Sequence, residues 1–246
     1  MPILSGLNVS GSNMVLIEDR SYVKLIGFEI RDNLGVDDGS GVRITGSGSH
    51  IEIRDNKIHE IRGIDAMGIA VYGTSTPISD LTIDGNEIFD SDPAESEALT
   101  LNGNIQSFTV TNNTVHDVNN IAIDFIGGET DINPVFVPRD GLVSGNRVYR
   151  SSANYGGGFG AGIYVDGAMD IIVENNVVSE SDLGIEIGAE NPGVTSGITV
   201  RNNLIFNNDK AGLVFGGFDT NRGRVRSASF TNNVCYMNDL LGSGFG

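Results

Sequence analysis

The chain has 246 residues, with 32 Asp and Glu against 15 Lys and Arg, and a net charge of −17. That balance argues against nucleic acid and against an anionic membrane surface, because both need clustered basic side chains. No stretch approaches the roughly 20 apolar residues of a membrane span, and the single cysteine, Cys235, leaves no partner for an internal disulfide.

There are 34 Gly and only 6 Pro, and segments with a 3.6-residue period are absent. The chain reads as short strands. One recurring element has an apolar residue, a variable one and another apolar one. It occupies residues 41–44, 68–71, 98–101, 121–126, 162–165, 184–187 and 212–215. Strand side chains alternate faces, so the variable residues share one side. In chain order they are Arg43, Ala70, Thr100, Asp124, Tyr164, Glu186 and Val214. Stacked in parallel, they form a surface ladder whose middle is polar and acidic.

A second element is a strand ending in Asn. It occupies residues 28–33, 51–56, 81–86, 108–113, 141–146, 171–176, 198–203 and 228–233. The final Asn residues are Asn33, Asn56, Asn86, Asn113, Asn146, Asn176, Asn203 and Asn233, with spacings of 23, 30, 27, 33, 30, 27 and 30. A period of this length marks a solenoid. A third, short apolar pair follows each Asn, as in Lys57-Ile58 and Val177-Val178. Three strands per coil with tight turns predict an all-β fold: one right-handed parallel β-helix of about eight coils over residues 1–246. Asn tolerates the left-handed backbone, and its amide can bond from coil to coil as a ladder. Cys235, between Val234 and Tyr236, is expected to be a small core residue.

Insertions interrupt the period at residues 90–96, 127–138, 151–160, 189–196 and 216–224. All flank the first-element sheet and are expected to wall a groove along it, since long loops on a rigid scaffold carry function. No capping helix is evident at either end. The chain is therefore expected to be a piece of a longer protein, or to pack end-on against another domain or subunit. No signal peptide is visible.

The coil signature, G-I-x-V followed by I-x-V-x-N-N-x-V, resembles the pectate-lyase-like superfamily of right-handed parallel β-helix proteins. The resemblance runs over roughly residues 14–239. It implies a carbohydrate-active protein in an extracellular or periplasmic setting, with a polysaccharide as partner. It also implies a lyase acting on an acidic, uronate-containing polysaccharide by β-elimination. The chain lacks the Asp-Pro-His motif of the alginate epimerases, and no catalytic residue is carried over from those families.

The catalytic candidates come from the ladder instead. They are Asp124, Asp166 and Glu186 as working acids, with Tyr164 as proton donor or acceptor. Strands about 4.8 Å apart would set the backbones of Asp124 and Glu186 roughly 10 Å apart. Asp166, two residues beyond Tyr164, faces the same side in the next column, which Tyr72 and Asn102 join. Glu97, Thr100, Asn102, Tyr72, Tyr155, Phe218 and Arg139 are candidates for binding the sugar chain. Three readings stay open. Asp124, Asp166 and Glu186 hold Ca²⁺, which neutralises a uronate while Tyr164, or more remotely Lys210, Arg139 or His116, acts as the base. Alternatively, two carboxylates, Asp124 with Asp166 or Glu186, hydrolyse a glycosidic bond as acid and base. In the third reading the face only binds sugar, with Tyr164, Tyr155 and Phe218 as stacking platforms.

Overall fold

The computed structural model describes residues 1–7, 11–154, 156–217 and 221–244. Among the described residues there is no helix, and the chain coils as a right-handed parallel β-helix of about eight turns. Every strand pairing is parallel, and each coil pairs with the coils before and after it. One sheet has nine strands and holds the short apolar pairs that follow the Asn turns. The other runs around a corner and contains both elements that precede them.

The first two elements of a coil, expected as separate strands, are continuous in the early coils. They form Ser40–Arg54, Met67–Asp84 and Leu99–Thr111. Short connections let the backbone turn the corner without leaving the ladder. From Ile123–Ile126 onward they are separate strands: residues 127–138 part Ile123–Ile126 from Arg139–Ser144, while only Gly167 and Ala168 lie between Ala161–Asp166 and Met169–Glu174.

Inward residues stack into one continuous core. Ile58, Ile88, Val115, Val148, Val178 and Ile205 succeed one another in register and are fully buried. Each such side chain contributes roughly 1.5–3 kcal/mol of burial. The small residue that opens each first strand has a steric reason. A Cβ at Gly68 would lie 2.7 Å from Ile88 Cγ2 and 2.8 Å from the Ala98 carbonyl oxygen.

The Asn ladder is continuous from Asn56 to Asn233. Each Nδ2 donates to the next Asn Oδ1 at 2.9–3.1 Å, and the backbone N–H of each donates to the same oxygen. The left-handed residue is the one before it: Asp55, Gly85, Asn112, Gly145, Asn175, Asn202 and Asn232 all have φ of 53–70°. The Asn-Asn pairs therefore divide two tasks, the first residue making the turn and the second the ladder. A second polar stack at another corner was not anticipated. It links Ser151, Ser181, Asn208 and Asn238.

Two expectations need correction. Asn33 is outside the ladder: it aligns with Ile61 and donates to the Ser12 and Ser40 carbonyls, while Phe28 N–H meets Asn56 Oδ1. The spacing of 23 was the sign, because the ladder position lies 28 residues before Asn56. Cys235 does occupy the core column, opposite Ile205, but it is exposed because no further coil covers it here.

Candidate functional site

The parallel register lines up Arg43, Ala70, Thr100, Asp124, Tyr164, Glu186 and Val214 on successive strands. Tyr72, Asn102, Ile126, Asp166 and Gly188 form the next column. Asp166 is thus the diagonal neighbour of Asp124. One strand spacing across and two residues along puts their Cα atoms about 8 Å apart.

This ladder is not the open surface expected of it. Asp124 is 2% exposed, Tyr164 3% and Asp166 5%, and Thr100 and Asn102 are also buried. The loops after and before the strands fold over them. Asp182 anchors one loop, accepting the Ala153 and Gly160 N–H groups at 2.8 Å each. Asp166 accepts the Glu190 N–H at 2.6 Å and so fixes another. Asn133 ties residues 127–138 to the Thr74 carbonyl at 2.7 Å and accepts the N–H groups of Val135 and Phe136.

The floor between these loops is a cavity of about 540 Å³. Its carboxylates are Glu95, Glu97, Asp124, Glu129, Asp166 and Glu190, and among the described residues no Lys, Arg or His lines it. Through Glu97 and Glu129 it continues toward the N-terminal coils into a second cavity of about 510 Å³ beside Tyr72 and Asn102. In the other direction, Ile121, Phe159 and Glu190 join it to a more apolar depression of about 390 Å³, lined by Tyr164, Leu183, Glu186, Val214 and Phe215. The whole is a groove along the coil stack, acidic in the middle and apolar at one end.

Crowded, desolvated carboxylates hold protons. Burial pushes Glu97 up to about 8, with Glu129 and Asp166 adding to it. Burial also pushes Asp166 and Glu186 up to about 7 each. Asp124 is raised well above the usual carboxylate range, by burial first and then by Glu97, Asp166 and Glu190, against one N–H from Phe125 at 2.6 Å. For Asp166, the Glu190 N–H and the positive charge of Arg222 favour the ionised form. The two neighbours therefore differ in degree: both are desolvated, but Asp166 has the Glu190 N–H and Arg222 favouring its anion, while Asp124 has one N–H against burial and three carboxylates.

Tyr164 packs among Ala161, Leu183 and Ala211, with its hydroxyl over Gly188, and burial among carboxylates keeps the phenol protonated. Its hydroxyl can therefore donate a hydrogen bond but is no base. Arg139 is not brought into the groove. It donates to Gln106 at 2.6 Å and to Asn104 at 3.1 Å. Lys210 is also engaged, donating to the Gly157 carbonyl with its ammonium 3.7 Å from the centre of the Phe159 ring. His116 lies on the nine-stranded sheet, in a stack of His59, Phe89, His116 and Tyr149 with centroids 4.7–5.2 Å apart. Tyr155 and Phe218 lie outside the described residues. Among the described residues, no three His, Cys, Asp or Glu side chains converge as a metal-holding group.

Glu129 and Glu190 were missed in the sequence. Both follow a first-element strand after small residues, in Gly127-Gly128-Glu129 and Gly188-Ala189-Glu190. That recurrence was the available signal.

Comparison with known proteins follows from this geometry. The family described as "Right handed beta helix region" matches residues 3–137 and 40–245. The uncharacterized protein YwoF of Bacillus subtilis (strain 168) is 36% identical over 98% of this chain. The chain spans 55% of that relative's length. Among solved structures, the A-module of the Azotobacter vinelandii mannuronan C-5 epimerase AlgE4 aligns with a TM-score of 0.57 at 11% identity, over 87% of this chain and 60% of its own. The catalytic domain of a GH87 α-1,3-glucanase aligns at 0.53 and 16% identity, over 88% and 52%. DFA-IIIase from Arthrobacter chlorophenolicus A6 aligns at 0.51 and 15% identity, over 88% and 55%. On the family match and the curated relative together, the chain belongs to the right-handed β-helix family.

Proposed function

We propose that the protein acts on a polysaccharide laid along this groove and hydrolyses a glycosidic bond, with Asp124 as general acid and Asp166 as general base. The observation that carries this is the pair itself, two buried carboxylates on adjacent coils with unequal surroundings, on the floor of an acidic cavity. In the reaction Asp166 takes a proton from water, whose oxygen attacks the anomeric carbon. Asp124 gives its proton to the departing glycosidic oxygen, so one water is consumed and one new reducing end appears. Carboxyl groups about 6.5–9.5 Å apart leave room for that water and give inversion, which is the separation this assignment requires. The carbohydrate-processing names of the structural neighbours favour a polysaccharide as the substrate class. An extracellular or periplasmic location belongs with such a substrate.

β-Elimination on a uronate is the second reading, favoured by Tyr164, whose hydroxyl stays protonated in the column beside Asp124 and can hydrogen-bond to a leaving oxygen. It needs a cation for the uronate carboxylate and a base, and among the described residues no Lys, Arg or His lines the central cavity. The test is kinetic. Asp124→Asn and Asp166→Asn should each lower kcat by about a hundredfold or more, with the first-formed anomer inverted in the wild type. Unchanged kcat in both variants would refute the assignment.

A further inference from the structure

The apolar end of the groove is built differently from its centre. It lies one to two coils beyond Asp166, at strand spacings of about 4.8 Å. Its depression of about 390 Å³ has apolar walls of Ile121, Phe159, Leu183, Val214 and Phe215. Ile121, Phe159 and Glu190 line both this depression and the central cavity, so a chain lying over Asp124 and Asp166 runs on into it. Among the described residues no Lys, Arg or His lines it. Lys210 sits on the Phe159 ring and donates to the Gly157 carbonyl.

Two polar groups stand among these apolar walls without partners. Tyr164 and Glu186 pair in register on adjacent strands, and both line the depression. Tyr164 is 3% exposed, yet its hydroxyl makes no hydrogen bond to a described residue and keeps accessible surface. A phenol so placed is a donor in want of an acceptor. Glu186 is half-buried and likewise makes no hydrogen bond or ion pair with a described residue. A carboxyl keeps acceptor capacity in either protonation state, so the burial that raises Glu186 to about 7 does not remove it as an acceptor. The depression thus presents one donor, one acceptor and an apolar wall side by side.

We propose that this end of the groove is a subsite for a sugar bearing an N-acetyl group, so that the substrate is a glycan containing N-acetylated amino sugars. This deepens the hydrolase reading and rests on it. An acetamido group carries an N–H donor, a carbonyl acceptor and a methyl group together. The N–H matches Glu186, the carbonyl matches the Tyr164 hydroxyl, and the methyl group fits against Leu183, Val214 and Phe215. Other sugar substituents each miss at least one of these. A hydroxyl brings no methyl group to the wall. A deoxy sugar's methyl leaves Tyr164 and Glu186 unmet, and an O-acetyl ester has no N–H. A free amine sets a cation against apolar side chains, and a uronate adds like charge beside Glu186 and Glu190.

The experiment is calorimetric binding of short, length-matched and like-linked oligomers of N-acetylglucosamine, glucose and a uronic acid. Each is assayed in parallel for cleavage by the wild type. Tyr164→Phe removes the hydroxyl and keeps the ring, and Glu186→Met removes the carboxyl at similar length. The glucose oligomer reports whether the groove is intact in each variant, because a folding defect weakens both neutral oligomers alike. The N-acetylglucosamine oligomer should bind the wild type at least about tenfold tighter than the glucose oligomer. That margin should fall to about threefold or less in each variant, with glucose binding unchanged within about twofold. Saturation-transfer NMR on the wild type needs no variant, and the acetyl methyl protons should receive the strongest saturation. Equal binding of the two neutral oligomers, a margin that persists in both variants, or stronger saturation of the sugar ring protons overturns the subsite. If the glucose oligomer is then cleaved, the hydrolase reading survives. N-acetylglucosamine binding with the predicted variant pattern but without cleavage supports the subsite and sinks the hydrolase reading. Preference for the uronate overturns both.

Discussion

Replacing Asp166 by Asn removes a charge from the groove while keeping the shape and the Oδ1 that accepts the Glu190 N–H. Burial, with Glu190 and Glu129 adding to it, raises this carboxyl from 3.8 to about 7. The folded pKa stands above the unfolded one. The carboxyl's contribution to stability is therefore fully present below about pH 4 and is lost as pH rises through about 7. A rise of that size corresponds to about 4 kcal/mol once pH exceeds 7, an upper limit because relaxation and entering water reduce it. About half of that is lost by pH 5.5 and the rest by pH 8.5. The Asn variant escapes this loss. Its advantage over wild type should grow by about 2 kcal/mol between pH 5.5 and pH 8.5, or about 4–8 °C in Tm for a chain of this size. Thermal unfolding followed by circular dichroism at both pH values measures it. An advantage independent of pH, or a variant less stable than wild type at pH 8.5, would refute the reasoning that burial strains this carboxylate.

Three further outcomes follow from the same contacts. Asn113→Ala removes two donated and two accepted hydrogen bonds at a fully buried position, and should lower unfolding free energy by about 2–4 kcal/mol in urea titrations. Asn233→Ala, in the last coil, should cost about 1 kcal/mol or less, and equal effects would contradict the ladder account. Asp182→Ala frees the Ala153 and Gly160 N–H groups, so limited proteolysis should cut within residues 151–160 and glycan affinity should drop. Cys235 should react with a thiol reagent in the native protein, at a stoichiometry of one, without denaturant.

Much of this architecture was legible because a solenoid writes its contacts as a period. The Asn column from Asn56 onward and the run Thr100, Asp124, Tyr164, Glu186 follow from spacing alone, since parallel coils place equivalent residues in register. Errors arose where local pattern and stacking diverge. Residues 28–33 copy the strand-plus-Asn pattern, yet Asn33 sits five positions beyond the ladder, and only the short spacing betrayed it. The closed groove was harder to foresee. Loop length predicts a wall, but roofing over Asp124 and Asp166 depends on anchors such as Asp182 and Asn133, whose partners lie up to 59 residues away. Proton-holding carboxylates come from that roof, so their chemistry was hidden for the same reason.

The measurement that bears most directly on the central claim is the product formed from a panel of polysaccharides by wild type and Asp124→Asn, read for reducing ends and for ultraviolet absorbance together, with and without a chelator. The account predicts reducing ends without new absorbance, insensitivity to the chelator, and loss of activity in the variant. An absorbing, unsaturated uronate product, or wild-type turnover by Asp124→Asn, would contradict it.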